Sequence, residues 1–254
     1  MALVVVFGAG GRLGRRVSVE AADRGHHVIG IVHCEAVPLL GQGVETVEGD
    51  VTDLATVRRV AQSADVLVAT VGCPEKFLYL DAARTLVAVA QEMTERAPRI
   101  IHSGGGGSLL DPKGSRFVDT KGFPEAVRPE ALGQAAALDY YRTTSGVYWV
   151  YMSPPPRNFE PGDRTGHYRV GDDHPVVDAQ GRFGISYDSL VAAQPGVTAA
   201  DPLVSILWGT FGFGEGVRGG GYLLLAVASA GVIAIGIVQL VRSPFLAATT
   251  GDPR

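Results

Sequence analysis

Residues 3–14 read Leu3-Val4-Val5-Val6-Phe7-Gly8-Ala9-Gly10-Gly11-Arg12-Leu13-Gly14. The first five are apolar and three of them are valines, the pattern of a short buried strand. Glycines follow at once. Arg12–Arg24 then has helical character, and Gly25 ends it. Between a strand and a helix, such glycines have distinct uses. Gly8 permits the tight turn, Gly11 lets backbone approach a pyrophosphate, and Gly14 lets the helix pack close to the sheet. The start of the helix offers free N–H groups and a partial positive charge to phosphates. The stretch therefore predicts dinucleotide binding rather than a plain strand-to-helix turn.

Outward from this point, strands and helices alternate. Strands are predicted over His27–His33, Val44–Val47, Asp65–Val71, Arg99–His102 and Val147–Met152. Helices are predicted over Leu54–Ser63, Asp81–Arg96 and Pro129–Thr144. Alternation of this kind implies parallel pairing and a Rossmann-like, doubly wound α/β sheet. Its strands are buried on both faces, which accounts for their continuous apolar runs. Tyr168–Val170 and Val176–Asp178 are expected to pair as a hairpin.

Candidate binding residues fall at strand ends. His33 ends the second strand, with Cys34 and Glu35 beyond it. An acid at this place favours the ribose 2′-hydroxyl of NAD. His33 and Arg12 are instead suited to a 2′-phosphate, so NADP is the expected cofactor and NAD the alternative. His33 also reads as an ordinary polar strand end. Asp50 suits either an adenine-edge contact or a turn or helix cap. Thr70-Val71-Gly72 ends the fourth strand at the ligand-binding edge, or is only a turn. Ser103 and Gly104–Gly107 close the fifth strand. They either admit a nicotinamide or substrate or form a flexible loop. No base accompanies Ser103, so it is not read as a nucleophile. The histidines lack metal-ligand spacing, and Asp172-Asp173 with His174 reads as a hydrated turn.

The net charge of −4 offers no basic field for nucleic acid. Two cysteines, Cys34 and Cys73, give no disulfide framework and fit a reduced setting. Met1–Phe7 lacks the basic lead of a signal peptide. Composition changes near Ala193. Residues 194–254 hold six of the 48 charged residues. Four parts are expected: a nucleotide-binding domain over 1–193, an apolar interfacial linker over 194–221, a membrane helix over 222–241, and a polar tail over 242–254. Tyr222–Val241 is 20 residues without a charge, about 30 Å as a helix, the thickness of a bilayer core. The nucleotide-binding domain is expected in the cytoplasm, tethered to the cell membrane.

Gly8/Gly11/Gly14, Gly49-Asp50-Val51-Thr52-Asp53 and Ser103–Ser108 together resemble the atypical short-chain dehydrogenase/reductase family. That NAD(P)H-binding group includes NmrA-like sensors and flavin reductase B-like enzymes. Phe117–Thr120, Trp149–Pro155, Thr165–Arg169 and Gly184–Tyr187 are similar to a bacterial branch of it. The resemblance runs from Met1 to about Ala193. It implies that Gly8, Gly11, Arg12, Leu13 and Gly14 hold the phosphates and that Asp50 and Val51 face the adenine. It places Val71, Gly72 and Ser103 near the ribose and nicotinamide, with Pro154 closing over that side. The Tyr-xxx-Lys pair of ordinary short-chain dehydrogenases is missing: Tyr140 is followed four on by Thr144, and Tyr141 by Ser145. That pair protonates a carbonyl oxygen. Its lack favours hydride transfer from NADPH to a flavin, a quinone or a similar small acceptor. The alternatives are a non-catalytic NADP(H) redox sensor and an inactive fusion product. Residues 194–245 resemble the final segments of an EamA-like drug/metabolite transporter, too few to form a transport path.

Overall fold

Leu3–Phe7 forms strand β1, near the middle of a six-stranded sheet in the computed structural model. The other strands are β2 (His27–Val32), β3 (Val44–Glu48), β4 (Val66–Ala69), β5 (Arg99–Ser103) and β6 (Trp149–Met152). All pairs are parallel, in the order β3-β2-β1-β4-β5-β6. This is the expected Rossmann-like sheet. The chain runs outward from β1 to β3, then returns to the other side of β1 as β4. A crevice opens at the carboxyl ends where the order reverses. The structure describes residues 1–33, 41–72, 78–93, 96–157, 159–162 and 169–191. The expected linker 194–221, membrane helix 222–241 and tail 242–254 lie outside the described residues. Among the described residues no helix is long and apolar enough to cross a membrane.

Two apolar layers hold the sheet. Val5, Phe7, Leu67, Ala69 and Ile100 belong to one core, and Val4, Val6, Val66, Val68 and Ile101 to the other. Successive side chains on a strand point to opposite faces, so each strand needs apolar residues throughout. Helix α1 (Arg12–Asp23) covers the second layer with Val17 and Ala21. Helices α2 (Leu54–Ala61), α3 (Leu78–Glu92) and α4 (Arg128–Thr143) cover the first with Val57, Leu86 and Ala137. Each fully buried Leu or Ile contributes about 1.5–3 kcal/mol.

Local chemistry sets the helix ends. The Gly25 amide donates to Ala22 O and the His26 amide to Ala21 O, with Gly25 at φ +81°. This closes α1 with a glycine in the left-handed region. At α2, Asp53 accepts from the amides of Ala55 and Thr56 and from the Thr56 hydroxyl.

Some expectations are corrected. Helix α3 begins at Leu78 rather than Asp81, because buried Tyr79 belongs to its first turn. The hairpin is absent: among the described residues, 169–170 and 176–178 are not strands. A turn follows at 178–182, where the Asp178 amide donates to Arg182 O. Two residues, Phe159–Glu160 (β7), instead pair in parallel with Ile185–Ser186 (β8). Residues 187–191 are helical, and Val191 joins the layer under α1.

One imidazole is sealed in the first layer. His102, on β5, is fully buried. Its Nδ1 lies 3.1 Å from the Tyr141 hydroxyl, its ring stacks on Tyr151 at 5.2 Å, and Nε2 has no hydrogen-bond partner among the described residues. Burial drives its pKa down to about 4, so the native imidazole is neutral. The unfolded chain takes up this proton below about 6.5. Stability is therefore lost as pH falls from about 6.5 towards 4, by about 3 kcal/mol in all. The thermal midpoint of the wild type should fall between pH 7 and pH 5 more steeply than that of His102→Gln. Parallel curves for the two proteins would contradict a buried neutral His102.

Candidate active site

The carboxyl ends of β1 and β4 are joined directly. The Thr70 amide and hydroxyl both donate to Phe7 O, at 3.0 and 2.8 Å. Gly8 follows at φ +77°, where a Cβ would also lie 2.8 Å from Thr70 O. A Cβ on Gly14 would collide with Gly8 O and stand 2.5 Å from Thr70 Oγ1. Only glycine allows α1 to begin this close to the strand ends. The helix opens at Gly11 without a side-chain cap and without an acid in its first turn. Its first amides have no intrahelical partner. The capped start of α2 shows the contrast. An uncapped, acid-free start flanked by exposed Gly10 and Gly11 fits a pyrophosphate. Leu13 packs its side chain on the second layer, leaving its backbone at the helix start.

At the ends of β2 and β3, His33 Nε2 lies 3.2 Å from Asp50 Oδ2. Asp50 Oδ1 accepts from the Thr52 amide and hydroxyl, each at 2.8 Å. Burial opposes ionisation of Asp50. Even so, the Thr52 hydrogen bonds and the His33 ring hold its carboxyl below the usual range. Asp50 thus shapes the turn, and Asp53 is the helix cap. Val51 is buried in the first layer. Arg12 is grouped elsewhere: its guanidinium lies 6.0 Å from the Tyr187 ring, and that of Arg16 lies 5.7 Å from it. Arg16 also donates to Asp188 at 2.8 Å. The residues after β8 thereby brace the start of α1.

On the other half of the crevice, the ends of β4 and β5 meet the start of α4. Val71 packs on the first layer and Gly72 is exposed. Ser103 is buried. The glycines after it are set by packing. A Cβ on Gly104 would strike the Tyr151 ring, one on Gly105 the Gln134 amide, and one on Gly106 the Pro156 backbone. A Cβ on Gly107 would come within 2.8 Å of Ala131 Cβ. The run is therefore a packed turn, not a flexible loop. Pro154 is buried just after β6, beside Ser153, whose hydroxyl lies 3.0 Å from that of Ser108.

Four polar residues here escaped the sequence reading. The Tyr79 hydroxyl donates to Glu130 Oε1 at 2.7 Å, and the Tyr151 hydroxyl donates to Gln134 O at 2.7 Å. The Tyr79 hydroxyl is also 3.5 Å from where a Gly72 Cβ would stand. Glu130 and Gln134 are four apart on α4, a spacing visible in sequence. Tyr140 and Tyr141, which lack a lysine four on, stand at the far end of this helix. Tyr141 is fully buried against His102, and burial raises its pKa further. It cannot reach a substrate.

A family profile described as NAD(P)H-binding matches residues 8–186. The chain belongs to that family, of atypical short-chain dehydrogenase/reductase type. It is 33% identical over 186 residues to the uncharacterised protein YwnB of Bacillus subtilis, covering 72% of this chain and 85% of the relative. A solved protein of Burkholderia pseudomallei is 31% identical, with TM-score 0.67 over 76% of this chain and 91% of its own. A Streptococcus pneumoniae structure named for NADH-flavin reductase activity is 26% identical, with TM-score 0.68 over 77% and 91%. The family match ends at residue 186, so it gives the EamA-like reading of residues 194–245 no support. The cofactor class is a nicotinamide dinucleotide.

Gly14→Ala should weaken binding of the nicotinamide dinucleotide at least tenfold and lower stability by about 1–3 kcal/mol, since overpacking moves the loop. Fluorescence titration and thermal melting measure the two effects. A folded variant with unchanged affinity would show that this contact does not shape the nucleotide site.

Proposed function

We propose that this domain is an oxidoreductase that passes hydride from NADPH to a small acceptor such as a flavin or quinone. The observation that carries the reading is the uncapped, glycine-rich approach of α1 to the joined ends of β1 and β4. The pyrophosphate rests there on backbone amides of Gly11, Arg12, Leu13 and Gly14. The adenosine lies towards His33, Asp50 and Val51. Thr70, Val71, Gly72, Ser103 and Gly104 line the nicotinamide side, with Pro154 behind them. When bound, the nicotinamide supplies the hydride. The protein's part is to hold it at the ends of β4 and β5, and to keep bulk water out with the packed Gly104–Gly107 turn.

The acceptor class is supported by two facts. No Tyr-xxx-Lys pair stands on α4: Thr144 and Ser145 follow Tyr140 and Tyr141 four on, and Tyr141 is sealed in the core. The Streptococcus pneumoniae relative, named for NADH-flavin reductase activity, also shares the sheet. Between the nucleotides, the exposed imidazole of His33 at the end of β2 offers an N–H donor to the 2′-phosphate of NADPH. The adjacent Asp50 carboxylate favours the 2′-hydroxyl of NADH. The uncharged run 222–241 supports a membrane tether, which would hold the domain on the cytoplasmic face.

Full-length protein, recovered from membranes in detergent, should quench Trp149 fluorescence saturably with NADPH and more weakly with NADH. It should then oxidise NADPH when riboflavin or a naphthoquinone is added. Saturable binding without turnover on any acceptor would favour the redox-sensor reading. Folded protein that binds neither nucleotide would overturn the proposal.

A further inference from the structure

We infer that Glu130, anchored by Tyr79, makes the acceptor site prefer molecules that present an N–H group, such as the imide of an isoalloxazine ring, over molecules that present only carbonyl oxygens, such as quinones. This rests on the oxidoreductase reading above. Glu130 stands in the first turn of α4. That turn is fixed from both sides of the crevice. Ala131 and Gln134 pack on Gly107 and Gly105 at the end of β5. Tyr79, in the first turn of α3 and 1% exposed, donates beside Gly72 to Glu130 Oε1. Through the Tyr79 hydroxyl the carboxylate is held near Gly72, just after β4.

Its second oxygen accepts no hydrogen bond among the described residues, and Glu130 is only half-buried. Among the described residues no guanidinium pairs with it. The nearby Arg128 instead bonds Glu125, Val118 O and Phe123 O. An ionised carboxylate only accepts hydrogen bonds. A ligand carbonyl placed against Oε2 would meet a second lone pair, whereas an N–H would form a charge-assisted bond. Tyr79 already fills Oε1 and keeps the carboxylate from turning away. Gln134 cannot take over this role, because its side chain is packed against Gly105.

The test compares riboflavin, N3-methylriboflavin and menadione on the full-length protein in detergent. Equilibrium binding is read by flavin fluorescence with NADP+ present, and kcat/KM by NADPH oxidation. The wild type should bind riboflavin about tenfold or more tightly than N3-methylriboflavin, the range expected for one hydrogen bond to a charged group. Glu130→Gln should bring the two flavins within twofold and raise kcat/KM for menadione several-fold, since an amide can donate to a carbonyl. Tyr79→Phe should fall between wild type and Glu130→Gln. NADP+ affinity should stay within twofold in both variants. Equal affinity of the wild type for the two flavins, or a preference that survives Glu130→Gln, would overturn the inference while leaving the oxidoreductase reading intact. NADPH binding with no acceptor bound or reduced would end both.

Discussion

The approach of α1 to the ends of β1 and β4 constrains everything else in this domain. Gly14 lies so near Gly8 O and Thr70 Oγ1 that no side chain fits between them. Thr70 fastens β4 to β1 through Phe7 O. The helix start is thereby held over the one place in the sheet where the strand order reverses. Its amides stay uncapped there, and the half-crevices for adenosine and nicotinamide open on either side. A Cβ at Gly14 would push the helix outward and separate these halves.

The second half-crevice is built by different means. The four glycines after β5 leave room for Tyr151, Gln134, Pro156 and Ala131. This packing draws the start of α4 onto the strand ends. The far end of α4 is meanwhile drawn into the core by Tyr141 and His102. One helix thus presents a polar first turn to the strand ends and a buried Tyr141 near its far end. That division explains why the tyrosines of α4 are structural, and why Glu130 and Gln134 stand where chemistry could use them.

Much of the fold was legible. Leu3–Phe7 was placed to the residue, because a valine run between Met1 and a glycine turn has few other readings. The parallel sheet followed from alternating apolar runs. What escaped was non-local. Val176–Asp178 has the look of a strand, yet nothing in its own sequence shows that Ile185–Ser186 pairs with Phe159–Glu160 instead. Gly104–Gly107 reads alike as loop or ligand cradle until the side chains filling its missing Cβ positions are known. Arg12 reads as a phosphate-binding residue from its place in the loop, and nothing local shows its nearness to Tyr187, 175 positions later in the chain. Tyr79 and Glu130 meet across 51 positions, a distance at which spacing carries no signal.

The most direct test is amide hydrogen exchange of the full-length protein with and without NADPH. Protection should rise at residues 8–14, 70–72 and 103–107 together, because one extended ligand would cross all three strand ends. Protection confined to other segments, or none at 8–14 at saturating NADPH, would contradict the placement of the nucleotide at the joined ends of β1 and β4.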